Sequence, residues 1–160
     1  IINDDDRYIK EDPFADIVMG LTNSVKYKSW DFSITARASI GNYAYNNLAS
    51  NAVFNGAASI NNILNNIHSD YLTTGFIDFT ENSLLSDHYI HEASFVKIDN
   101  ISIGYNIVTK SGCNVRVFGS LQNVATFTDY EGIDPEIYGG IDNNFYPRPQ
   151  TGVFGVTFEF

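Results

Sequence analysis

The stretch WDFSITARASIG, residues 30–41, alternates without a fault. Trp30, Phe32, Ile34, Ala36, Ala38 and Ile40 share one parity, and Asp31, Ser33, Thr35, Arg37, Ser39 and Gly41 share the other. Successive side chains of an extended chain point to opposite faces, so this pattern predicts a strand with one apolar and one polar side. Such a strand suits a sheet packed on a core, and it equally suits a barrel wall whose apolar side meets lipid. The flanking segments decide between the two.

Just upstream, Ile17, Met19, Leu21, Val25 and Tyr27 fall on one parity with Asn23 as the single exception, and only a tight turn at Lys28 and Ser29 separates this strand from the next. A third strand is expected from about Ser94 to Ile107. Val96 and Ile98 hold one parity in its first half, and Ile101, Ile103, Tyr105 and Ile107 hold the other. The phase slips near Asp99-Asn100, where a β-bulge would restore one continuous face. After the turn Thr109-Lys110-Ser111-Gly112, a fourth strand sets Val115, Val117, Gly119 and Leu121 against Asn114, Arg116, Phe118, Ser120 and Gln122. The fifth is TGVFGVTFEF, residues 151–160, with Gly152, Phe154, Val156, Phe158 and Phe160 on one side.

Connection lengths separate the candidates. The links after the first and third strands are a few residues long, whereas residues 42–93 and 128–150 far exceed the common loops of about 2–6 residues. Strict alternation of short and long links is the layout of an outer-membrane barrel, with short periplasmic turns, long extracellular loops and a periplasmic C-terminus. Five strands cannot close, because the smallest such barrels need about 8 and an open edge in lipid has nothing to pair with. The fold expected is therefore all-β, with residues 1–160 supplying about five C-terminal antiparallel strands of a larger transmembrane barrel. The chain does not open on Met, which fits a piece of a longer or processed polypeptide. In the first long loop, Ile60, Ile63, Leu64 and Ile67 behind Ser59 have helical spacing and predict a short helix.

Composition excludes several classes. Nine Lys and Arg against nineteen Asp and Glu, a net charge of −10, do not suit a nucleic-acid binder. No apolar run approaches the ~18 residues of a membrane helix, which leaves a β-barrel untouched. Cys113, the single cysteine, cannot form an internal disulfide.

Three segments, SDHYIHEASFVKIDNISIGYNI (86–107), NVRVFGSLQNVATFTDYEGIDPEI (114–137) and FYPRPQTGVFGVTFEF (145–160), resemble the closing strands of SusC/RagA-type TonB-linked outer-membrane transporters. NDDDR (3–7) and YKSWDFSI (27–34) are similar to that family as well; KEDPFADI and Val124-Ala125 depart from its usual pattern. The resemblance implies a barrel of about 22 strands with a plugged lumen. It also implies a Gram-negative outer membrane, a SusD-like surface lipoprotein as partner, and TonB-driven uptake of oligosaccharides or peptides. The plug, the remaining strands and the TonB-contacting segment would lie outside this chain. The rival class is a soluble, secreted β-sandwich that binds carbohydrate, burying the same apolar faces between two sheets.

Chemistry-bearing residues are sparse. His88 and His91, if carried into the third strand, would point to opposite faces, and no metal or other cofactor is expected. Read as a calcium loop from Asp4, the chain has Ile9 where Gly is needed and Ala15 where the closing Glu belongs. Asp129, Glu131, Asp134 and Glu136 lie in a turn-rich stretch without an argued catalytic pair, so no enzyme is expected. The lumen-facing candidates are Asp31, Ser33, Thr35, Arg37, Ser39, Asn114, Arg116, Ser120 and Gln122. Arg37 and Arg116 are expected to pair with plug carboxylates, since buried charges are normally paired. Tyr43, Tyr45, Tyr71, Tyr130, Tyr138, Phe145 and Tyr146 are loop aromatics suited either to substrate or lid contacts or to packing the loops together. Phe154, Val156, Phe158 and Phe160 would face lipid and serve as a barrel-assembly signal.

Overall fold

The structure, a computed structural model, describes residues 4–50, 69, 72, 86–108, 112–143 and 146–159. Among these residues the strands are β1 (Ile17–Tyr27), β2 (Trp30–Ile40), β3 (Tyr43–Tyr45), β4 (Ile90–Glu92), β5 (Phe95–Val108), β6 (Asn114–Thr128) and β7 (Thr151–Glu159). The chain divides into two compact units. One, the sheet unit, comprises Asp16–Ile40, Ser94–Asp129 and Arg148–Phe160; the other, the loop unit, comprises Ile1–Ala15, Gly41–Ala93 and Tyr130–Pro147.

The sheet unit is one five-stranded antiparallel sheet in the order β1-β2-β5-β6-β7. Residues directly opposite in an antiparallel pair share a face, so the register settles which side each group occupies. Tyr27, Trp30, Tyr105, Val117 and Val156 form one cross-sheet row, and Asn23, Ile34, Ile101, Leu121 and Gly152 another. The expected bulge is present: Thr35 opposes Asn100 and Ala36 opposes Ile98, leaving Asp99 as the extra residue. Val96, Ile98, Ile101, Ile103 and Tyr105 thereby stay on one face despite the parity slip.

β6 is longer than the alternation predicts, continuing past Gln122 to Thr128. Asn123 adopts a left-handed backbone, φ 53°, and donates its side-chain amide to the Arg148 carbonyl at 2.8 Å. Asn123 and Val124 are spliced in between Gln122 and Ala125 opposite the Asp99 bulge, so pairing resumes beyond them. The local irregularity hides the continuation from a periodicity count.

The apolar face of this sheet is open. Trp30 is 50% exposed, Leu121 53%, Phe154 75% and Phe158 58%. A contiguous apolar face across five strands is untenable in water and ordinary in a barrel wall, where hydrocarbon covers it. Trp30 and Tyr105 pack ring to ring at 4.7 Å beside Tyr27, at the end carrying the short β1–β2 turn, as an interfacial aromatic girdle requires. Among the described residues the rival sandwich has no second layer: the other sheet there consists of β3 and β4, three residues each.

In the loop unit, β3 and β4 pair antiparallel, and Tyr45 bridges to Ile141. Ala44, Ala93 and Tyr130 form a small buried cluster against which Ile137 packs. Helical backbone begins at Asn47, where the Asn46 side chain accepts the Ala49 N–H at 2.9 Å as an N-cap. The helix expected behind Ser59 lies outside the described residues. Asn42 and Asn46 are buried. Asn42 donates to the Ala93 carbonyl at 3.0 Å, so its amide replaces water as the partner of a buried backbone group.

Candidate functional site

All nine polar candidates lie on the face opposite the apolar one. Ser33, Ser102 and Ser120 form one cross-strand row, and Thr35, Asn100 and Gln122 the next. The Ser33 and Ser102 hydroxyls are hydrogen bonded at 2.7 Å. Ser39 lies opposite Phe95, and Asn114 opposite Val108 and Glu159.

The two arginines find their first carboxylates within the sheet. Arg37 Nε reaches both oxygens of the bulged Asp99, at 3.0 and 2.9 Å. Arg116 grips Asp31 with a fork, Nε to Oδ1 at 3.2 Å and Nη2 to Oδ2 at 2.6 Å. Each arginine thus has a carboxylate on a neighbouring strand, because the register carries an aspartate to each. Glycine makes room for the second pair: a Cβ on Gly104 would stand 2.6 Å from both Asp31 oxygens. Phe118 lies under the Arg116 guanidinium at 5.1 Å, and a Cβ on Gly155 would overlap its ring.

Asp99, Ser102 and Lys97 were not among the sequence candidates for this face, and Phe118, though placed on its parity, was left out of them. The parity slip marked Asp99 as irregular, but only register shows what it binds. Lys97 is 2% exposed, with its ammonium 5.1 Å from the Phe95 ring.

The loop tyrosines separate into two kinds. Tyr130 is buried, and its hydroxyl donates to Asp142 at 2.8 Å; burial, then that hydrogen bond, pushes its pKa far above the ordinary tyrosine range. Tyr45 donates to Ser50 at 2.8 Å and is also shifted upward, by burial. Tyr138 and Tyr146 are presented to solvent, Tyr138 completely. Tyr43 is half-buried in β3, while Tyr71 and Phe145 lie outside the described residues.

Two acids of the loop unit are buried. Asp134 is buried and accepts the Glu136 N–H at 2.9 Å, and Asp142 is 1% exposed. Asp87 accepts from the Tyr8 hydroxyl at 2.5 Å and lies 3.5 Å from Lys10. That hydrogen bond lowers the Asp87 pKa and raises that of Tyr8. His88 occupies a 3-10 turn and His91 sits in β4, not in the third long strand. Among the described residues no three His, Cys, Asp or Glu side chains are grouped to hold a metal.

An apolar face over a polar, ion-paired one describes a barrel wall, and known proteins give it a family. No family model matches the chain. It is 36% identical to TonB-dependent receptor SusC of Bacteroides thetaiotaomicron, across 99% of this chain and 16% of that receptor. The chain belongs to the SusC-type TonB-dependent receptors. TonB-dependent receptor P3 of Formosa agariphila is 32% identical over 97% of the chain and 17% of its own length. The solved RagAB peptide transporter superposes with a TM-score of 0.68 at 21% identity, over 92% of this chain and 17% of that one, and the open-open RagAB importer with 0.67. These superpositions show the same barrel fold. The chain spans about a sixth of the length of each SusC-type relative named here, and those relatives are receptors and transporters, not enzymes.

Proposed function

We propose that this chain is part of the wall of a TonB-dependent nutrient importer in a Gram-negative outer membrane. The C-terminal end of β7 lies toward the periplasm, and the long links between strands are extracellular. The observation that carries this reading is the five-stranded sheet whose apolar face is exposed along its whole width. Asp31, Ser33, Thr35, Arg37, Ser39, Asn114, Arg116, Ser120 and Gln122 then line the lumen. The cargo is an oligosaccharide or a peptide; the naming of RagAB as a peptide importer supports the second. A SusD-like lipoprotein covers the external mouth, and TonB acts through segments outside this chain. Tyr138 and Tyr146, exposed on the loop unit, are suited to meet cargo or lid.

The test is deletion of the full-length receptor, with growth scored on panels of oligosaccharides and of peptides. Loss of growth on one panel, with uptake abolished by a protonophore, is the expected outcome and names the cargo class. Unchanged growth and uptake on every substrate would count against import. Affinity purification of the receptor should bring down a lipoprotein partner. We also propose that Phe154, Val156 and Phe158, with Phe160 on the same parity, mark the barrel for assembly. Phe158→Asp should then reduce heat-modifiable barrel in the membrane, and unchanged levels would remove that role.

A further inference from the structure

In a barrel of this size the lumen is filled by protein, and the polar face of β2, β5 and β6 must meet that filling. Its arginines are already engaged. Arg37 and Asp99 form one pair toward the end with the long links, and Arg116 and Asp31 another toward the end with the short turns. A third cation of these strands, Lys97, is 2% exposed, with its ammonium 5.1 Å from the Phe95 ring. Between the pairs run two uncharged rows: Ser24, Ser33, Ser102, Ser120 and Val153, then Thr22, Thr35, Asn100, Gln122 and Thr151. Gly104 lets Arg116 lie across the strand onto Asp31.

We infer that the two arginine–aspartate pairs are satisfied within the wall, so that the plug meets the rows between them through neutral hydrogen-bonding groups and does not offer carboxylates of its own to Arg37 or Arg116. The inference rests on the barrel reading above. A charge satisfied in cis gains little from a second partner, whereas hydroxyl and amide rows exchange hydrogen bonds with water or protein at similar free energy. A plug seated this way slides or withdraws along these strands without breaking an ion pair.

The test uses the full-length receptor in its own outer membrane. Arg37→Gln with Asp99→Asn, and Arg116→Gln with Asp31→Asn, each remove a pair without leaving a lone buried charge. Neither double variant should lower the vancomycin concentration that inhibits the cells, because a seated plug keeps the lumen closed to so large a molecule. A fall in that concentration at normal levels of heat-modifiable barrel overturns the inference. Should either variant assemble poorly, a structure of the unaltered receptor decides. A plug carboxylate within about 4 Å of Arg37 or Arg116 overturns the inference, and neutral plug groups there support it. An unaltered receptor that yields no heat-modifiable barrel overturns the barrel reading itself.

Discussion

Trp30, Phe154 and Phe158 are large, apolar and exposed, while Asp142, Asn42 and Ser50 are polar and buried. The first group belongs to the sheet unit and the second to the loop unit. The same chain obeys opposite rules in its two parts because each is built for a different solvent. Hydrocarbon demands that backbone groups be paired and imposes no cost on an outward Leu or Phe, so the sheet needs ladders and no core of its own on that side. Water demands a buried interior, and the loop unit, with short elements, assembles one from small residues and satisfied polar groups. Charge follows the same division: Arg7 and Lys10 are the only Lys or Arg residues in the loop unit, which carries most of the carboxylates.

This contrast breaks most sharply at Ile101, in the middle of the apolar face. Ile101→Arg should cost about 2–4 kcal/mol of barrel stability, read by urea unfolding in lipid vesicles, whereas Tyr138→Arg in the loop unit should change it by less than about 0.5 kcal/mol. Equal effects would erase the distinction between the units. Gly155→Val drives a side chain into the Phe118 ring on the polar face, and should cost about 1–3 kcal/mol by overpacking in the same measurement. Tyr130→Phe removes the hydroxyl that Asp142 accepts, and should cost about 1–2 kcal/mol. That loss should appear as faster amide exchange in residues 41–46, 89–93 and 130–142, with β5 and β6 unchanged.

The smallest effect concerns pH. Asp87 has a lowered pKa and Tyr8 a raised one, through their shared hydrogen bond. The Asp87 contribution is present above the usual carboxylate range and lost as pH falls through its depressed value. The Tyr8 contribution is present below the usual tyrosine range and lost as pH rises through its elevated value. Chemical shifts of the Tyr8 ring should therefore change at both extremes and stay flat between them, and Asp87→Asn should abolish the acid step.

The strands were legible because a two-residue period is local, and because an apolar side facing lipid leaves it unmasked. Even the bulge could be read, since Ile98 and Ile101 cannot share a face without an extra residue between them. The pairing of Arg37 with Asp99 could not, because it depends on register between segments some sixty residues apart. The β3–β4 pairing escaped for a similar reason: three residues carry no periodicity, and Tyr43 meets Glu92 only after the chain has passed through the first long loop. Asp142 was not among the acids the sequence singled out, and nothing in its neighbours announces the tyrosine that donates to it.

Asp99 also acts as a frame marker for its strand. One codon removed there would rotate the first half of β5 by half a pleat, bringing Val96 and Ile98 to the polar face and swinging Lys97 onto the apolar one. An in-frame deletion at a single acidic position would thus be felt along half a strand, a vulnerability that no point substitution at the same site shares.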